Sequence, residues 1–308
     1  MDTITLKYSQ EQAGNISLLD TIPNYLTNPS IHHYDSGIYV SGNLSNLKVT
    51  VGAKGMKVNN SLTKYYLKDN IKEMRRSDTE RAFEMLSDDL HLPLAEATVT
   101  SLHFAKNIIV KHDVNSYFPF LGGLSRYQRY ISEHGINYKI NSSEFATYDK
   151  IKELKHKREF IPPMYQNQNI MRLEQRYHKR FAERFNRPII TGKELYEEGL
   201  YMEILKDWYR TYKRIEKLQK SIIDMSQVTT KRELYLKGIL ALVTLQGGEL
   251  TAIEQVNERY RKGELTKKQA HDLRQTYKES RKANLATIEN ELIVELDKKI
   301  KDSLAYYR

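Results

Sequence analysis

The sequence has 308 residues, contains no cysteine and carries a formal net charge of +10 at pH 7. The length allows one large domain or two of medium size. The missing thiol excludes disulfides, thiol catalysis and zinc sites built from cysteine. The surplus of lysine and arginine attracts polyanions, with an affinity that falls as salt rises, so nucleic acid is the leading partner. A soluble protein that is merely basic is the alternative.

The first residues, MDTITLKYSQEQ, lack the basic and apolar regions of a signal peptide, and no apolar run approaches the ~20 residues that span a membrane. We therefore expect a cytoplasmic protein with no membrane partner. The phosphate-binding G-x-x-x-x-G-K-[ST] loop is missing, which excludes a P-loop motor. H-E-x-x-H, G-x-S-x-G and the H-x-H pair of many DNA-nicking enzymes are also missing.

The first part of the chain, 1–190, mixes short alternating apolar and polar runs with turn signals, which favours β-strands. The segments that predict strands are, in chain order, GIYVSG, LKVTVGAKGMKVNNSL (two strands around a turn at GAKG), ATVTSLHFAKNIIV, INYKI, EFATYDKI and IMRLEQRY. INYKI and EFATYDKI are predicted to form a hairpin that turns on Asn141, Ser142 and Ser143.

Two helices are predicted between these strands. The segment SDTERAFEMLSDDL begins with an S-x-x-E capping box at Ser77 and Glu80, and the segment LSRYQRYISEHG is the second helix. Strands linked by hairpins, with helices interposed, predict an α+β fold built on an antiparallel sheet.

The second part, 191–308, is highly charged, contains no proline and has helical periodicity. A T-x-x-E capping box at Thr191 and Glu194 predicts the helix that opens it. The last helix is predicted to align one apolar stripe, formed by Leu285, Ile288, Leu292, Leu296, Ile300 and Leu304. We therefore predict two domains, 1–190 and an all-helical 191–308. The charged helical faces are either solvated or in contact with DNA or a partner helix.

Tyr148 is one of 22 tyrosines and lies two residues before Lys150 in EFATYDKI. As a strand, this segment places Tyr148 and Lys150 on one face, and Phe145 and Ile151 on the other. An ammonium so close lowers the cost of the phenolate and can neutralise a phosphate. The arrangement suits nucleophilic attack on a phosphodiester. An exposed strand tyrosine beside a solvated lysine is the alternative.

In IMRLEQRY, strand alternation places Arg172, Glu174 and Arg176 on one face. The arginines could clamp phosphates bidentately, and the carboxylate could bind Mg²⁺ or Mn²⁺. A ladder of cross-strand salt bridges, each worth little energetically, is the alternative.

In ATVTSLHFAKNIIV, Leu102 and Phe104 point to one face, and Ser101, His103 and Ala105 to the other. A histidine in mid-strand on a face of small residues is a candidate metal ligand or general base. A structural role is the alternative for a lone histidine.

Taken in order, four segments resemble the phage and plasmid replication proteins of the filamentous-phage gene II/X family, which are rolling-circle initiators that nick one strand at an origin. SNLKVTVGAKGMKVNNSLTKYYLKDN resembles the family's strand–turn–strand block, and ATVTSLHFAKNIIV its central strand. INYKINSSEFATYDKIKELK resembles the hairpin that carries its nucleophilic tyrosine, and IMRLEQRYHKRF its R-x-E-x-R strand. The resemblance covers about residues 35–185 and implies a replication-initiator-like catalytic domain in the first part of the chain.

The resemblance implies that Tyr148 is the nucleophile, with Lys150 beside it, and that attack leaves a 5′-phosphotyrosine and a free 3′-OH. It implies a divalent cation, Mg²⁺ or Mn²⁺, near His103 and Glu174. His103 stands where the family's best-known members carry an acidic residue, and histidine can also bind these cations. The basic residues expected to hold the DNA backbone are Lys54, Lys64, Lys106, Arg172 and Arg176.

The implied setting is the cytoplasm of a bacterial host, and the implied substrate is single-stranded or supercoiled origin DNA. The free 3′-OH would prime a host polymerase, and a host helicase would unwind the duplex because the motor motif is missing. One alternative is a non-enzymatic DNA-binding replication or regulatory protein, which needs the basic surface but not Tyr148. Another is a structural or RNA-associated protein whose binding depends on the helices of 191–308.

Overall fold

A computed structural model of the chain describes residues 1–69, 71–222, 228–283, 286–288 and 290–304. The structure is α+β, as the sequence predicts, with a large antiparallel sheet of ten strands and a helical C-terminal region. The strands are β1 (Thr3–Ser9), β2 (Thr27–Tyr34), β3 (Gly37–Leu44), β4 (Leu47–Gly52), β5 (Gly55–Ser61), β6 (Thr98–Val110), β7 (Leu121–Leu124), β8 (Gln128–Ser132), β9 (Gly135–Lys139), β10 (Ser143–Asp149), β11 (Asn169–Tyr177), β12 (Ile215–Lys217), β13 (Lys220–Ile222) and β14 (Ala286–Ile288).

The helices of the described chain come in two groups, short ones between the strands and longer ones towards the C-terminus. They are α1 (Gln10–Ala13), α2 (Leu18–Thr21), α3 (Leu62–Leu67), α4 (Arg76–Leu90), α5 (Lys150–His156), α6 (Phe181–Arg184), α7 (Glu198–Arg214), α8 (Lys231–Leu245), α9 (Glu249–Arg261), α10 (Lys267–Ser280) and α11 (Glu291–Ser303). The large sheet has the strand order β2-β3-β4-β5-β1-β6-β11-β10-β9-β8, and β7 pairs with β12 and β13 with β14.

The chain divides into two compact units that are interleaved along the sequence. The first unit consists of Met1–Asn107, Asn141–Glu144 and Leu173–Trp208. The second consists of Ile108–Ile140, Phe145–Arg172 and the described residues from Tyr209 onwards. The division into 1–190 and 191–308 stays a prediction.

The first unit has a sheet with one covered face and one open face, because side chains alternate across each strand. Ile4, Leu6, Val58, Leu102 and Phe104 are buried on the covered face, where the aromatic rings of Tyr201 and Trp208 from α7 meet Phe104 edge-on at 6.2 and 6.3 Å. The open face is defined by residues that are exposed or half-exposed, namely Thr5, Lys7, Lys48, Thr50, Lys57, Asn59, Ser101 and His103.

The turn predicted at GAKG joins β4 to β5, with Gly52 opposite Gly55 in the register. Gly55 has φ +145°, and a β-carbon there would lie 2.5 Å from the carbonyl oxygen of Tyr8. Glycine is therefore required both by the backbone conformation and by the close approach of β1.

In the second unit, α8, α9 and α10 pack on one another, and α8 and α10 each begin with a capping box, at Thr230 and Thr266. No single helix in the described ranges is long and apolar enough to span a membrane, although α8 and α9, bent by 85°, meet that test of length and composition as a pair.

The predicted helix LSRYQRYISEHG is wrong. Its central residues form β8, which pairs with β9 through Tyr130 opposite Asn137 and Ile131 opposite Ile136. The two strands are joined by the turn at Glu133 and His134. The segment is rich in tyrosine and arginine, which fit either structure, and the pairing with β9 supplies the backbone hydrogen bonds that decide for a strand.

The helix predicted over SDTERAFEMLSDDL is confirmed as α4, but its start differs. The helix begins at Arg76, and Asp78 Oδ2 accepts a hydrogen bond from the Arg75 backbone N–H at 2.8 Å. The predicted box at Ser77 and Glu80 therefore lies inside the helix, because Asp78 can serve the free N–H groups one turn earlier.

The capping interaction at Thr191 is present, with Glu194 Oε2 accepting from the Thr191 N–H at 2.7 Å. It opens only a 3₁₀ turn at Lys193–Leu195, and the long helix α7 begins at Glu198.

The last helix is shorter than predicted. Leu285 lies outside the described residues, Ile288 belongs to β14, and α11 begins at Glu291, where it buries Ile293, Leu296 and Ile300.

Candidate active site

His103 and Glu174 lie on neighbouring strands of the first unit, β6 and β11, and their side chains meet. His103 Nδ1 is 3.0 Å from Glu174 Oε1, and the side chains are 20% and 4% exposed. The predicted alternation of β6 is confirmed, since Leu102 and Phe104 are buried while His103 faces the open side. Two residues predicted from separate segments are thus brought together at one point.

Arg176 links this pair to a second carboxylate. Its Nε donates to Glu174 Oε1 at 3.0 Å, and its Nη1 donates to Glu144 Oε1 at 2.9 Å. His178 Nε2 is 3.8 Å from Glu144 Oε2, and the rings of His178 and His103 are 5.7 Å apart, edge to face. We call His103, Glu144, Glu174, Arg176 and His178 the β6–β11 cluster.

Glu144 and His178 were missed by the sequence interpretation, although both carry a signal. His178 continues the alternation of Arg172, Glu174 and Arg176 by one more step. Glu144 precedes Tyr148 by four residues, so the two share a face of β10 by strand periodicity. The salt-bridge alternative weighed for this strand is present at Arg176, which is engaged with both carboxylates.

The donor set of the cluster suits a divalent cation only in part. Within the described residues, no three histidine or carboxylate side chains are placed to hold a metal ion together. His103 and Glu174 provide one imidazole and one carboxylate side by side. Mg²⁺ and related cations are commonly held by one or two protein ligands with water and substrate phosphate completing the shell, so the pair fits such a site.

Tyr148 is half-exposed and lies next to the last residue of β10, whereas Lys150 is not on that strand. The predicted strand over EFATYDKI is wrong at its end. Asp149 Oδ1 accepts from the Lys152 N–H at 2.9 Å and caps α5, so Lys150 is the first residue of a helix. Aspartate favours this role because its carboxylate satisfies a helical N–H that the strand would leave without a partner.

Lys150 is only 1% exposed, and its Nζ donates to Glu153 Oε2 at 2.7 Å, with Lys157 on the other oxygen of the same carboxylate. Burial acts to raise the pKa of Glu153, but the two ammonium groups outweigh it and hold that pKa below its usual value. The positive charge predicted beside Tyr148 is therefore a buried charge with a carboxylate partner.

The other predicted DNA-binding residues fall into different environments. Lys54 is exposed in the β4–β5 turn, and Lys64 is half-exposed in α3. Lys106 lies on the covered face, 2% exposed, with its Nζ donating to Glu73 Oε2 at 2.9 Å. Burial lowers the pKa of Lys106, while Glu73 acts in the opposite direction. Arg172 is 4% exposed.

Two further tyrosines near these segments are buried. The Tyr138 hydroxyl donates to the Gly122 carbonyl at 2.8 Å, and burial raises its pKa. The Tyr177 hydroxyl donates to Asp207 at 2.8 Å. Both are less accessible than Tyr148.

The first unit also contains an open cavity of about 220 Å³ beyond the end of β11. It is lined by Ser142, Ser143, Tyr177, Lys179, Arg180, Glu183 and Arg184. Arg184 is paired with Asp207 at 2.7 Å and Arg180 with Glu183 at 3.8 Å. Carboxylates therefore balance much of the positive charge that lines the cavity.

Comparison with known proteins gives one result that bears on this arrangement. The family model for the N-terminal region of the gene II-type replication-associated protein of phages (Phage_CRI) matches residues 3–225, which include the β6–β11 cluster and Tyr148. No curated protein matches the chain. The match covers well over half of the chain, so this protein belongs to the family of gene II-type phage replication-associated proteins, whose role is the initiation of rolling-circle replication.

Proposed function

We propose that the protein is a site-specific DNA endonuclease and strand transferase that starts rolling-circle replication by nicking one strand at its origin. The observation that supports this proposal is the family match over residues 3–225. The matched span contains a half-exposed strand tyrosine, Tyr148, and the histidine–carboxylate pair of His103 and Glu174. These are the groups that a tyrosine-dependent, metal-assisted phosphodiester transfer requires.

In this reaction Tyr148 Oη attacks the scissile phosphorus in line. The new O–P bond forms as the bond from phosphorus to the 3′ oxygen breaks. The phenol loses its proton, the departing 3′ oxygen gains one, and the products are a 5′-phosphotyrosine and a free 3′-OH. The covalent link retains the energy of the phosphodiester, so the same site can later rejoin the strand.

His103 and Glu174 would hold a divalent cation, Mg²⁺ or Mn²⁺, which when bound supplies Lewis-acid polarisation of the scissile phosphate. Arg176 is engaged by both Glu174 and Glu144 and holds the two carboxylates in place. His178 stands at the edge of the same group.

Lys150 would supply positive charge that favours the phenolate and the developing negative charge of the transition state. Its pairing with Glu153 fixes the position of the ammonium at the start of α5. Contacts to the DNA backbone are proposed for Lys54, Lys64 and Arg176. Lys106 and Arg172 are 2% and 4% exposed, so each would reach a phosphate only after a local rearrangement, which for Lys106 means exchanging Glu73 for the phosphate. The 3′-OH would prime a host polymerase, and a host helicase would unwind the origin.

The test is a denaturing gel of the purified protein mixed with single-stranded DNA from its own replicon and Mn²⁺. We expect a covalent protein–DNA band that disappears with EDTA, with Tyr148→Phe and with Glu174→Gln. Tyr130→Phe is the matched control, because Tyr130 is also a strand tyrosine, 49% exposed, and it should leave the band unchanged.

A Tyr148→Phe variant that keeps the band would contradict the proposal. DNA binding with no band for the wild type, in the presence or absence of metal, would instead favour the non-enzymatic DNA-binding protein.

A further inference from the structure

The hairpin formed by β2 and β3 lies at the edge of the first unit's sheet and exposes nearly all of its first strand. Every residue of β2 is exposed except His32, which is half-buried. The register pairs His32 with Tyr39, and Ile31 with Val40. Directly opposed residues share a face, so aromatic and aliphatic side chains are sorted to opposite faces of the hairpin.

One face of the hairpin carries His32, Tyr34 and Tyr39, which we call the aromatic trio. The rings of His32 and Tyr34 are nearly parallel, 20° apart with centroids at 6.2 Å, and Tyr39 meets Tyr34 edge-on at 5.8 Å. His32 Nε2 is 2.8 Å from Ser41 Oγ, which fixes the imidazole. Tyr34 is nevertheless 63% exposed, so a pre-arranged aromatic surface faces solvent.

The same face continues across the sheet into a group of lysines. Tyr39 lies opposite Gly52 of β4, two residues beyond Thr50, which lies opposite Lys57 of β5. Lys57 in turn lies opposite Lys7 of β1. The aromatic trio and these lysines therefore share the open face.

Lys7, Lys48 and Lys57 are all exposed, and none forms an ion pair with a carboxylate of the described chain within 4.0 Å. Like charges placed directly opposite each other in a sheet are destabilising, and Lys7 and Lys57 have this arrangement. The residues that neighbour the three lysines on the open face are Thr5, Thr50 and Asn59, and none of these is acidic. An anionic partner would relieve the repulsion.

The open face also leads to the β6–β11 cluster. Thr5 lies opposite Ser101, and His103 is two residues further along β6 and so on the same face. A strand bound along this face would pass from the aromatic trio, over the lysines, towards the histidine–carboxylate pair.

We propose that the open face, from the aromatic trio to Lys7, Lys48 and Lys57, is a binding track for single-stranded DNA. The lysines neutralise phosphates and the trio stacks on unpaired bases, a combination typical of surfaces that bind single strands without reading their sequence. Duplex DNA does not offer its base faces for stacking. The inference rests on the proposed function and deepens it, because it assigns where the strand to be nicked is held.

The test uses the full-length protein in EDTA, with fluorescence anisotropy of a labelled 30-nucleotide oligo-dT, so that no cleavage takes place. Tyr34→Ala should weaken binding roughly 5- to 150-fold, the range for losing one base–aromatic stack. Ile31→Ala is the matched control, because Ile31 is 65% exposed on the opposite face of the same hairpin. Tyr34→Phe should bind like the wild type.

Two further binding measurements distinguish the contribution of base stacking from that of phosphate neutralisation. An oligonucleotide of the same length with abasic sites throughout should bind Tyr34→Ala and wild type equally. Lys7→Gln combined with Lys57→Gln should reduce the slope of log affinity against log salt by about 1.4, or about 0.7 per phosphate contact. Lys193→Gln, an exposed lysine outside this face, should leave the slope unchanged.

Equal losses for Tyr34→Ala and Ile31→Ala, an unchanged salt slope in the lysine variant, or tighter binding of a 30-base-pair duplex would each overturn the inference. Binding to the track is measured in EDTA, whereas the covalent adduct is measured in Mn²⁺. The results can therefore reject the binding track while the covalent adduct still forms, or reject the nicking reaction while single-stranded DNA still binds the track.

Discussion

Among the residues predicted for the site, Lys150 shows most clearly how burial changes the role of a side chain. An exposed lysine beside a tyrosine would only adjust the local potential. Here the ammonium is 1% exposed and held by Glu153 at 2.7 Å. A buried charge of this kind depends on its partner, because an uncompensated ammonium out of water is strongly disfavoured.

Replacing Glu153 with glutamine is therefore expected to destabilise the protein by about 3 kcal/mol at pH 7, as for other buried pairs that lose one partner. The pKa of Glu153 is held below its usual value of 4.5, so its contribution is present above about pH 4.5 and is lost as the pH falls through the folded-state pKa. Urea unfolding at pH 7 and at pH 4 would measure both effects.

Glu258→Gln is the control, since Glu258 forms an exposed ion pair with Lys262 at 2.8 Å. Water screens such a pair, so its loss should leave the stability close to that of the wild type. A Glu153→Gln variant as stable as Glu258→Gln at pH 7 would contradict the dependence of Lys150 on its partner.

Among the elements, β9 and β10 determine where Tyr148 lies. Gly135, the first residue of β9, lies against the backbone of β10. A β-carbon on Gly135 would overlap the Thr147 carbonyl oxygen and lie 2.8 Å from Tyr148 Cβ. The neighbouring atoms are mostly backbone and cannot rotate away, so any side chain here must displace the strand that carries the tyrosine.

Gly135→Ala is accordingly expected to cost about 1–3 kcal/mol of stability, the range for overpacking a close contact, and to lower the yield of covalent adduct more than the loss of folded protein explains. Calorimetry and the adduct gel on the same sample would separate the two effects.

Gly199→Ala serves for comparison, because the position is in α7 and, apart from its chain neighbours and the backbone of its own helix, no heavy atom of the described chain lies within 4 Å of the added carbon. There alanine should stabilise the helix by up to about 1 kcal/mol and leave the adduct unchanged. An adduct yield of Gly135→Ala equal to that of Gly199→Ala would show that β9 does not position Tyr148.

For the whole molecule, stability against pH depends on buried titratable groups as well as on the surface charge. Lys217 Nζ donates to the carbonyls of Tyr212 and Ile215 at 2.9 and 2.8 Å and lies 4.1 Å from the centroid of the Tyr212 ring. Burial lowers the pKa of Lys217 to about 8. Folding therefore releases a proton from this lysine between about pH 8 and its unfolded value of 10.5.

Because the unfolded chain binds the extra proton in that range, this lysine makes the free energy of unfolding rise with pH by about 1.4 kcal/mol per unit. Lys217→Met should remove that rise. We expect the stability difference between variant and wild type to change steadily from pH 8 to pH 10 in chemical unfolding. Lys193→Met, at an exposed position, should show a constant difference, and a constant difference for Lys217→Met would refute the lowered pKa.

The two compact units are interleaved along the sequence. His103, Glu174 and Arg176 belong to the first unit, and Tyr148 and Lys150 to the second. β6, β10 and β11 each pass from one unit into the other. The amino-acid composition changes near residue 190 and does not indicate this interleaving. The units depend on which strands pair with one another, and local composition does not specify that pairing.

Local sequence patterns by themselves predicted the α+β class and the helix α4. They also predicted the six strand segments, apart from the end of EFATYDKI, and indicated the candidate residues Tyr148, His103 and Glu174. Period-2 alternation and turn chemistry act within a few residues and need no partner to be read. The resemblance carried by four short segments also identified the family, which the match over residues 3–225 confirms.

Only the tertiary structure decided what depends on residues distant in sequence. The central residues of LSRYQRYISEHG form β8 because they pair with β9. Lys106 is buried with Glu73 as its partner. Glu144 and His178 lie beside the His103–Glu174 pair. The tertiary structure also aligned the aromatic trio with Lys7 and Lys57 through the register of five strands. Cross-strand register and burial are long-range properties, so a chain read residue by residue does not contain them explicitly.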